Sequence, residues 1–264
     1  MLCAIHRVST FRMVSLSTAI LFGAGVDRWS AESGAQEPTR AATEESKEFQ
    51  EQTPTAEAAN ELEPGFELLF DGRTSEGWEG NFDWFRIESG AIVAGSLKRD
   101  IPHNEFLCTR QSFKNFELRL QVKLEGIGDN AGVQFRTVRL SNSTEVSGYQ
   151  CDVGNAWGRP VWGGLYDESR RNKMLAEGDP KKLAQALRPG TWNELMVRAI
   201  DDHVQIWLNG TLTIEYTETD PNIAREGIIA LQIHSGPPTE AWYRHIRLRN
   251  IEPKKGPVSL DARN

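Results

Sequence analysis

The sequence predicts an all-β fold, an antiparallel sandwich or barrel, and three observations carry that prediction. Short runs rich in β-branched and aromatic residues recur at regular spacing from Phe66 to Leu248, with turn residues between them and almost no helical period. The run from Phe116 to Leu124 alternates cleanly. Phe116, Leu118, Leu120, Val122 and Leu124 share one face, and Glu117, Arg119, Gln121 and Lys123 share the other, which reads as a solvated surface. Asn209-Gly210 between two alternating runs is a tight hairpin signal.

Residues 1–35 read as a secretory signal. His6, Arg7 and Arg12 supply a basic start, and Met13 to Val26 is a mostly apolar stretch too short and interrupted for a comfortable membrane span. Export to the periplasm or cell surface is the expectation, with an uncleaved membrane anchor as its variant. Residues 36–63 read as an acidic disordered linker. Between Ala31 and Glu63 nine Glu stand against Arg40 and Lys47, which equals the net charge of −7. The remainder is near neutral, so a nucleic-acid partner is not expected. The folded domain spans 64–253, and residues 254–264 form a polar tail.

Within that domain Phe66–Phe70, Trp84–Ile87, Ala91–Ala94 and Glu105–Thr109 read as strands. Asp71-Gly72-Arg73 and Ser89-Gly90 read as turns. Lys181–Leu187 is the one short helix. Trp192–Ile200, Val204–Leu208, Leu212–Tyr216, Gly227–His234 and Ala241–Leu248 complete the strands, the last of them at a charged edge. Cys108 and Cys151 lie in apolar strand surroundings and read as small buried hydrophobes, with a single disulfide between neighbouring strands left open.

The stretch from Asn130 to Leu175 carries the chemistry. Strand parity sets Val133 and Phe135 opposite Gln134 and Arg136, and Tyr149, Cys151 and Val153 opposite Gln150 and Asp152. The polar face would thus carry amide, guanidinium and carboxylate groups beside a loop bearing Trp157 and Trp162. Sugar-handling surfaces use that combination, flat aromatic faces for C–H patches and forked polar groups for hydroxyls. Gln134, Gln150, Trp157, Trp162, Tyr166, Arg170 and Arg171 are the candidate sugar contacts. Gly163-Gly164 either lets backbone approach a ligand or makes an ordinary tight turn. His103-Asn104-Glu105 is a lesser candidate for the rim, and His203 and His245 read as solvated.

From Gly65 to Ile251 the chain resembles the domain-of-unknown-function 1080 family, the 3-keto-disaccharide hydrolase domain. The resemblance rests on Gly65–Gly72, Asn115–Arg119, Asn130–Arg136, Ser147–Gln150, Trp162–Glu168, Trp192–Glu194, Val204–Gly210 and Gly227–His234, in that order. It implies a concanavalin-A-like jelly-roll sandwich in an extracytoplasmic bacterial protein. It also implies cleavage of 3-keto-glycosides, sugars first oxidised at C3 by a partner sugar 3-dehydrogenase.

That reaction needs a base near C2, a protic or positive group at the C3 oxygen and an acid for the leaving oxygen. Asp152 and His234 are the candidate bases. His234 falls on the face of Gln232, and an imidazole is suited to proton transfer near neutrality. Arg136 is the candidate for the enolate oxygen and Glu168 for the acid. Asp152, Glu168 and His234 are also candidate ligands for a divalent metal, although no spacing motif points to one. The alternatives are a non-catalytic carbohydrate-binding, lectin-like module and a sandwich used for protein contact.

Overall fold

The computed structural model describes residues 62–252, so the signal, nearly all of the linker and the tail lie outside the described residues. The strands in chain order are β1 (Glu67–Leu68), β2 (Trp78–Glu79), β3 (Phe85–Glu88), β4 (Ala91–Ser96), β5 (Glu105–Phe113), β6 (Phe116–Gly126), β7 (Asn130–Arg139), β8 (Val146–Ala156), β9 (Arg159–Pro160), β10 (Leu165–Glu168) and β11 (Lys173–Ala176). Helix α1 (Pro180–Ala186) follows, then β12 (Asn193–Ile200), β13 (His203–Leu208), β14 (Thr211–Thr217), β15 (Gly227–Ile233) and β16 (Thr239–Asn250). They form two antiparallel sheets. One runs β14-β13-β12-β6-β16-β4-β3, with β1 also on β16, and the other runs β11-β10-β8-β7-β15-β5-β2, with β9 on β8. The fold is a β-sandwich of the jelly-roll kind.

The core lies between the sheets and is built from the inward parity of each strand. Phe116, Leu118, Leu120 and Val122 of β6 face Val133, Phe135, Tyr149, Cys151 and Val153 of β7 and β8, all with essentially no exposure. Phe135 stacks on Tyr149 with ring centroids 5.5 Å apart, and Phe116 meets Phe135 edge-on. Both hairpin signals hold: Ser89-Gly90 and Asn209-Gly210 each take two positive φ values, the geometry whose twist matches the flanking strands. Helix α1 is capped by Asp179, which accepts from the Lys181 and Lys182 amides, with Pro180 in the first turn. Cys108 and Cys151 are buried free thiols, and burial pushes the Cys108 thiol up to about 12, which leaves it inert as a nucleophile.

Three local expectations change. Phe66–Phe70 yields only the two-residue β1, because Asp71 draws the chain into a turn by accepting from the Arg73 and Thr74 amides. Strand β16 is central, between β6 and β4, and exposed His245 sits at a register shift in it with φ 53°. The charged face of β6 is not simply solvated. Glu117 is fully buried beneath Arg119, Arg198 and Arg249, at 2.6, 2.6 and 3.0 Å. Burial alone would raise its carboxyl, but the three guanidinium hydrogen bonds outweigh that and hold it below its ordinary value.

Candidate active site

The outer face of β7, β8, β10 and β15 carries a cleft of about 290 Å³. Register explains its contents. Asp152 and Gln232 flank Gly132 on either side, across β8, β7 and β15, and the next row places Gln134, Gln150 and Tyr166 side by side. Gln150, Asp152, Trp157, Tyr166, Glu168 and His234 all line this one cleft. Gln134 lies directly beneath, fully buried, and donates through Nε2 to Gln150 Oε1; Gln150 in turn donates to Asp152 Oδ1. A second amide, Gln232, donates to Glu168 Oε2 at 3.4 Å. Each carboxyl therefore has an amide donor on one oxygen.

Gly132 makes the amide row possible. A Cβ there would stand 2.5 Å from Gln150 Cδ, so the Gln150 side chain lies in the space the glycine leaves open. Gly132→Ala is expected to displace Gln150 and uncouple it from Asp152, lowering any turnover by about tenfold while the fold persists. Activity together with a thermal melt checks this, and unchanged activity would mean that the Gln150–Asp152 contact is dispensable.

The electrostatics of the cleft favour protons on its carboxyls. Asp152 is 3% exposed, and burial, with a smaller contribution from Glu168, raises its carboxyl to about 7 against the hydrogen bond from Gln150. Burial, assisted by Glu145, also raises Glu168 to about 7. His234 is exposed at the rim, and its Nδ1 lies 2.7 Å from the Ser235 carbonyl oxygen. A carbonyl only accepts, so Nδ1 carries the hydrogen, and in the neutral ring Nε2 keeps its lone pair. Trp157 stands at the rim, 65% exposed with φ 51°, its ring 6.1 Å from that of Tyr166.

Four expected site residues lie elsewhere. Arg136 has φ 48°, and the β7–β8 register shifts between Phe135 and Val138. This bulge turns its guanidinium away from the amide row to the Lys114 and Asp201 carbonyls and Asn115 Oδ1. Arg170 and Arg171 pair with fully buried Asp167, and Arg171 also binds Glu218 at 2.7 Å. Glu218 accepts from the Tyr149 hydroxyl as well; burial would raise its carboxyl, but these hydrogen bonds hold it at about 2. Trp162 is 8% exposed and lines a separate apolar cavity. The Gly163-Gly164 pair is a turn packed on β14, with Thr213 Oγ1 donating to the Gly163 carbonyl at 3.0 Å.

Asn104, Asn130, Asn155 and Ala156 also line the cleft. Of these the sequence marked only Asn104, within its rim trio; Glu105 of that trio is buried and accepts from Asn81. Asn130 and Asn155 stand at strand ends; Asn155 follows Asp152 by three residues along β8, and register sets Asn130 of β7 opposite Gly154. Among the described residues no group of three or more His, Cys, Asp or Glu is placed to hold a metal ion.

Residues 65–249 match the 3-keto-alpha-glucoside-1,2-lyase-like domain. The chain belongs to that family. The family is carbohydrate-related, in agreement with the motif order along the chain. No curated protein matches significantly. Among solved structures, a candidate glycosyl hydrolase from Parabacteroides distasonis ATCC 8503 is 18% identical with a TM-score of 0.54, over 71% of this chain and 94% of that one. A protein of unknown function with a galectin-like fold from Bacillus subtilis is 11% identical with a TM-score of 0.50, over 67% and 90%. The VIP36 exoplasmic/lumenal domain, solved with Ca2+ and Man3GlcNAc, is 13% identical with a TM-score of 0.50, over 73% and 91%. These likenesses establish the family member as a sandwich of a widely used shape.

Proposed function

We propose that this domain cleaves 3-keto-glucosides by base-initiated elimination across C1 and C2, followed by hydration. The observation that carries the reading is the pair of desolvated carboxyls, both raised to about 7, in one cleft with a histidine whose Nε2 is free to accept. Family membership supports it.

The C3 ketone acidifies the C2 proton, and His234 Nε2 takes that proton. The resulting enolate places negative charge on the C3 oxygen. Asp152, kept protonated by burial, hydrogen-bonds that oxygen in the role expected of Arg136. Expulsion of the C1 oxygen substituent breaks the C1–O bond and forms the C1–C2 double bond, while Glu168 delivers a proton to the leaving oxygen. Water then adds at C1, making the net change a hydrolysis. A sugar 3-dehydrogenase acting earlier would supply the ketone. Export, expected from the N-terminal segment, would place the reaction outside the cytoplasm.

The test is release of the C1 substituent from a 3-keto-glucoside and from its unoxidised parent, with and without chelator. Release from the keto sugar alone, lost in His234→Ala, is the expected result; loss on chelation would add a metal to the cleft. The rate is expected to fall as pH rises through about 7, because the acid form of Glu168 disappears there. The exposed Trp157 platform beside Tyr166 favours a second reading, a non-catalytic carbohydrate-binding module. Saturable binding of either sugar without release would select it.

A further inference from the structure

A second cavity lies behind the wall of the cleft. Strands β8 and β9 pair antiparallel, with Asn155 opposite Pro160 and Ala156 opposite Arg159. Asn155, Ala156 and Trp157 line the acid cleft, while Arg159 and Pro160 line the other cavity. One hairpin is therefore the common wall, and paired strands stand only about 4.8 Å apart. The crest of the wall is the Trp157-Gly158 turn, with positive φ at both residues, and the Arg159 guanidinium lies 5.6 Å from the centre of the Trp157 ring.

The second cavity has a volume of about 190 Å³, and its apolar walls are Val161, Trp162, Met174, Leu183 and Leu187. The Arg159–Glu177 ion pair, at 2.6 Å, is its main charged feature. A dry apolar cavity of about 150 Å³ takes up benzene. This one thus has room for a flat ring and none for a helix or a second copy of the chain. Gly164 lines it as well, and a Cβ there would stand 3.0 Å from the Val161 carbonyl oxygen and 3.3 Å from Met174 Sδ.

We infer that this cavity seats the aromatic aglycone of a glycoside whose sugar lies in the acid cleft. The inference rests on the proposed function for its sugar half. The glycosidic oxygen would cross the hairpin crest between Trp157 and Arg159, so the bond to be broken lies at the boundary between the polar and apolar compartments. Substrate choice is then set by two independent sites: the amide and carboxyl row selects the oxidised sugar, and the apolar walls select a flat hydrophobic leaving group.

Ala184 is exposed on α1 and lines the cavity without touching the cleft. Ala184→Trp would fill the cavity, and Ala184→Leu would fill it partly. Using the full chain, kcat/KM is compared for 2-naphthyl and methyl 3-keto-α-glucosides. In Ala184→Trp the naphthyl value is expected to fall by about tenfold, roughly the worth of burying one or two methylenes' equivalent of ring, with the methyl value unchanged and Ala184→Leu intermediate. Comparing variant with parent cancels the greater intrinsic reactivity of the naphthyl leaving group. Equal effects on both substrates, or on neither, would overturn the inference. Binding of 2-naphthol alone, followed by tryptophan fluorescence, separates the two claims. Binding that Ala184→Trp abolishes supports the cavity assignment even if neither glucoside is cleaved. Cleavage of both glucosides with no 2-naphthol binding sinks the cavity assignment and leaves the proposed reaction standing.

Discussion

Asp152→Asn is expected to lower turnover on a 3-keto-glucoside by about 10²- to 10³-fold, the usual worth of one preorganised donor to a developing oxyanion, and to make the protein more stable at alkaline pH. The two effects share one cause. The folded carboxyl titrates at about 7, whereas in the unfolded chain it returns to its ordinary value near 3.8. Between those values the native protein holds a proton that the unfolded chain has already lost. Stability therefore declines as pH rises through that window. An amide cannot ionise, so the variant escapes Asp152's share of the decline, a gain on the order of 4 kcal/mol at pH 8, while the share of Glu168 remains. Melting curves at pH 5 and pH 8, set beside substituent-release rates, measure both effects. A variant that keeps full activity would remove Asp152 from the mechanism. One that shows the parent's pH dependence would mean that burial does not hold the proton there.

The second large effect falls on the opposite sheet. Glu117→Ala leaves Arg119, Arg198 and Arg249 facing one another around the space of a buried carboxylate. Removing one partner from a buried ionic cluster costs about 3 kcal/mol or more, which for a domain of this size is a fall of roughly 10 °C in melting temperature. The Phe66 ring, 5.1 Å from the Arg119 guanidinium and 5.0 Å from that of Arg249, loses its anchored partners as well. Activity per folded molecule should stay the same, because Glu117 belongs to the sheet that does not carry the cleft. An unchanged melting temperature would show that the three arginines find solvent as readily as they found Glu117. The carboxylate is held below its ordinary value, so its contribution to stability is present at neutral pH and disappears as pH falls through that range.

How much of this was legible depends on the range of the signal. Alternation is local, so β6 and the inward set of Tyr149, Cys151 and Val153 could be read directly, and the same parity placed Gln150 with Asp152. A non-glycine bulge leaves no composition signal. Arg136 sits in an ordinary-looking strand, and only its φ of 48° moves it from the amide row to the Lys114 carbonyl. The partners of Arg171 stand 4 and 47 positions away, and the distant one, Glu218, has no feature in the sequence that announces it. Trp162 was misplaced for a related reason. A tryptophan beside two glycines reads alike on either side of a wall, and the packing of Gly163 against Thr213 decides the side. Asn130 and Asn104 reach the cleft through contacts with distant stretches, β8 and Ser235, which no single stretch of sequence contains, whereas Asn155 stands three residues from Asp152 on β8.

The Arg136 bulge has a mechanical consequence. Its guanidinium holds the carbonyl of Lys114, in the β5–β6 connection, and that of Asp201, in the β12–β13 turn. Along β7 it stands four residues from Gly132, about 13 Å at strand rise, and so well away from Asp152. One end of the sandwich is thus stitched, and the other carries the cleft with its rim of Asn130, Trp157 and His234. Slow breathing of the two sheets will pivot about the stitched end and be widest at the rim. Amide hydrogens near Phe116 and Asp201 should then be among the last to exchange with deuterium, and those of residues 154–158 among the first.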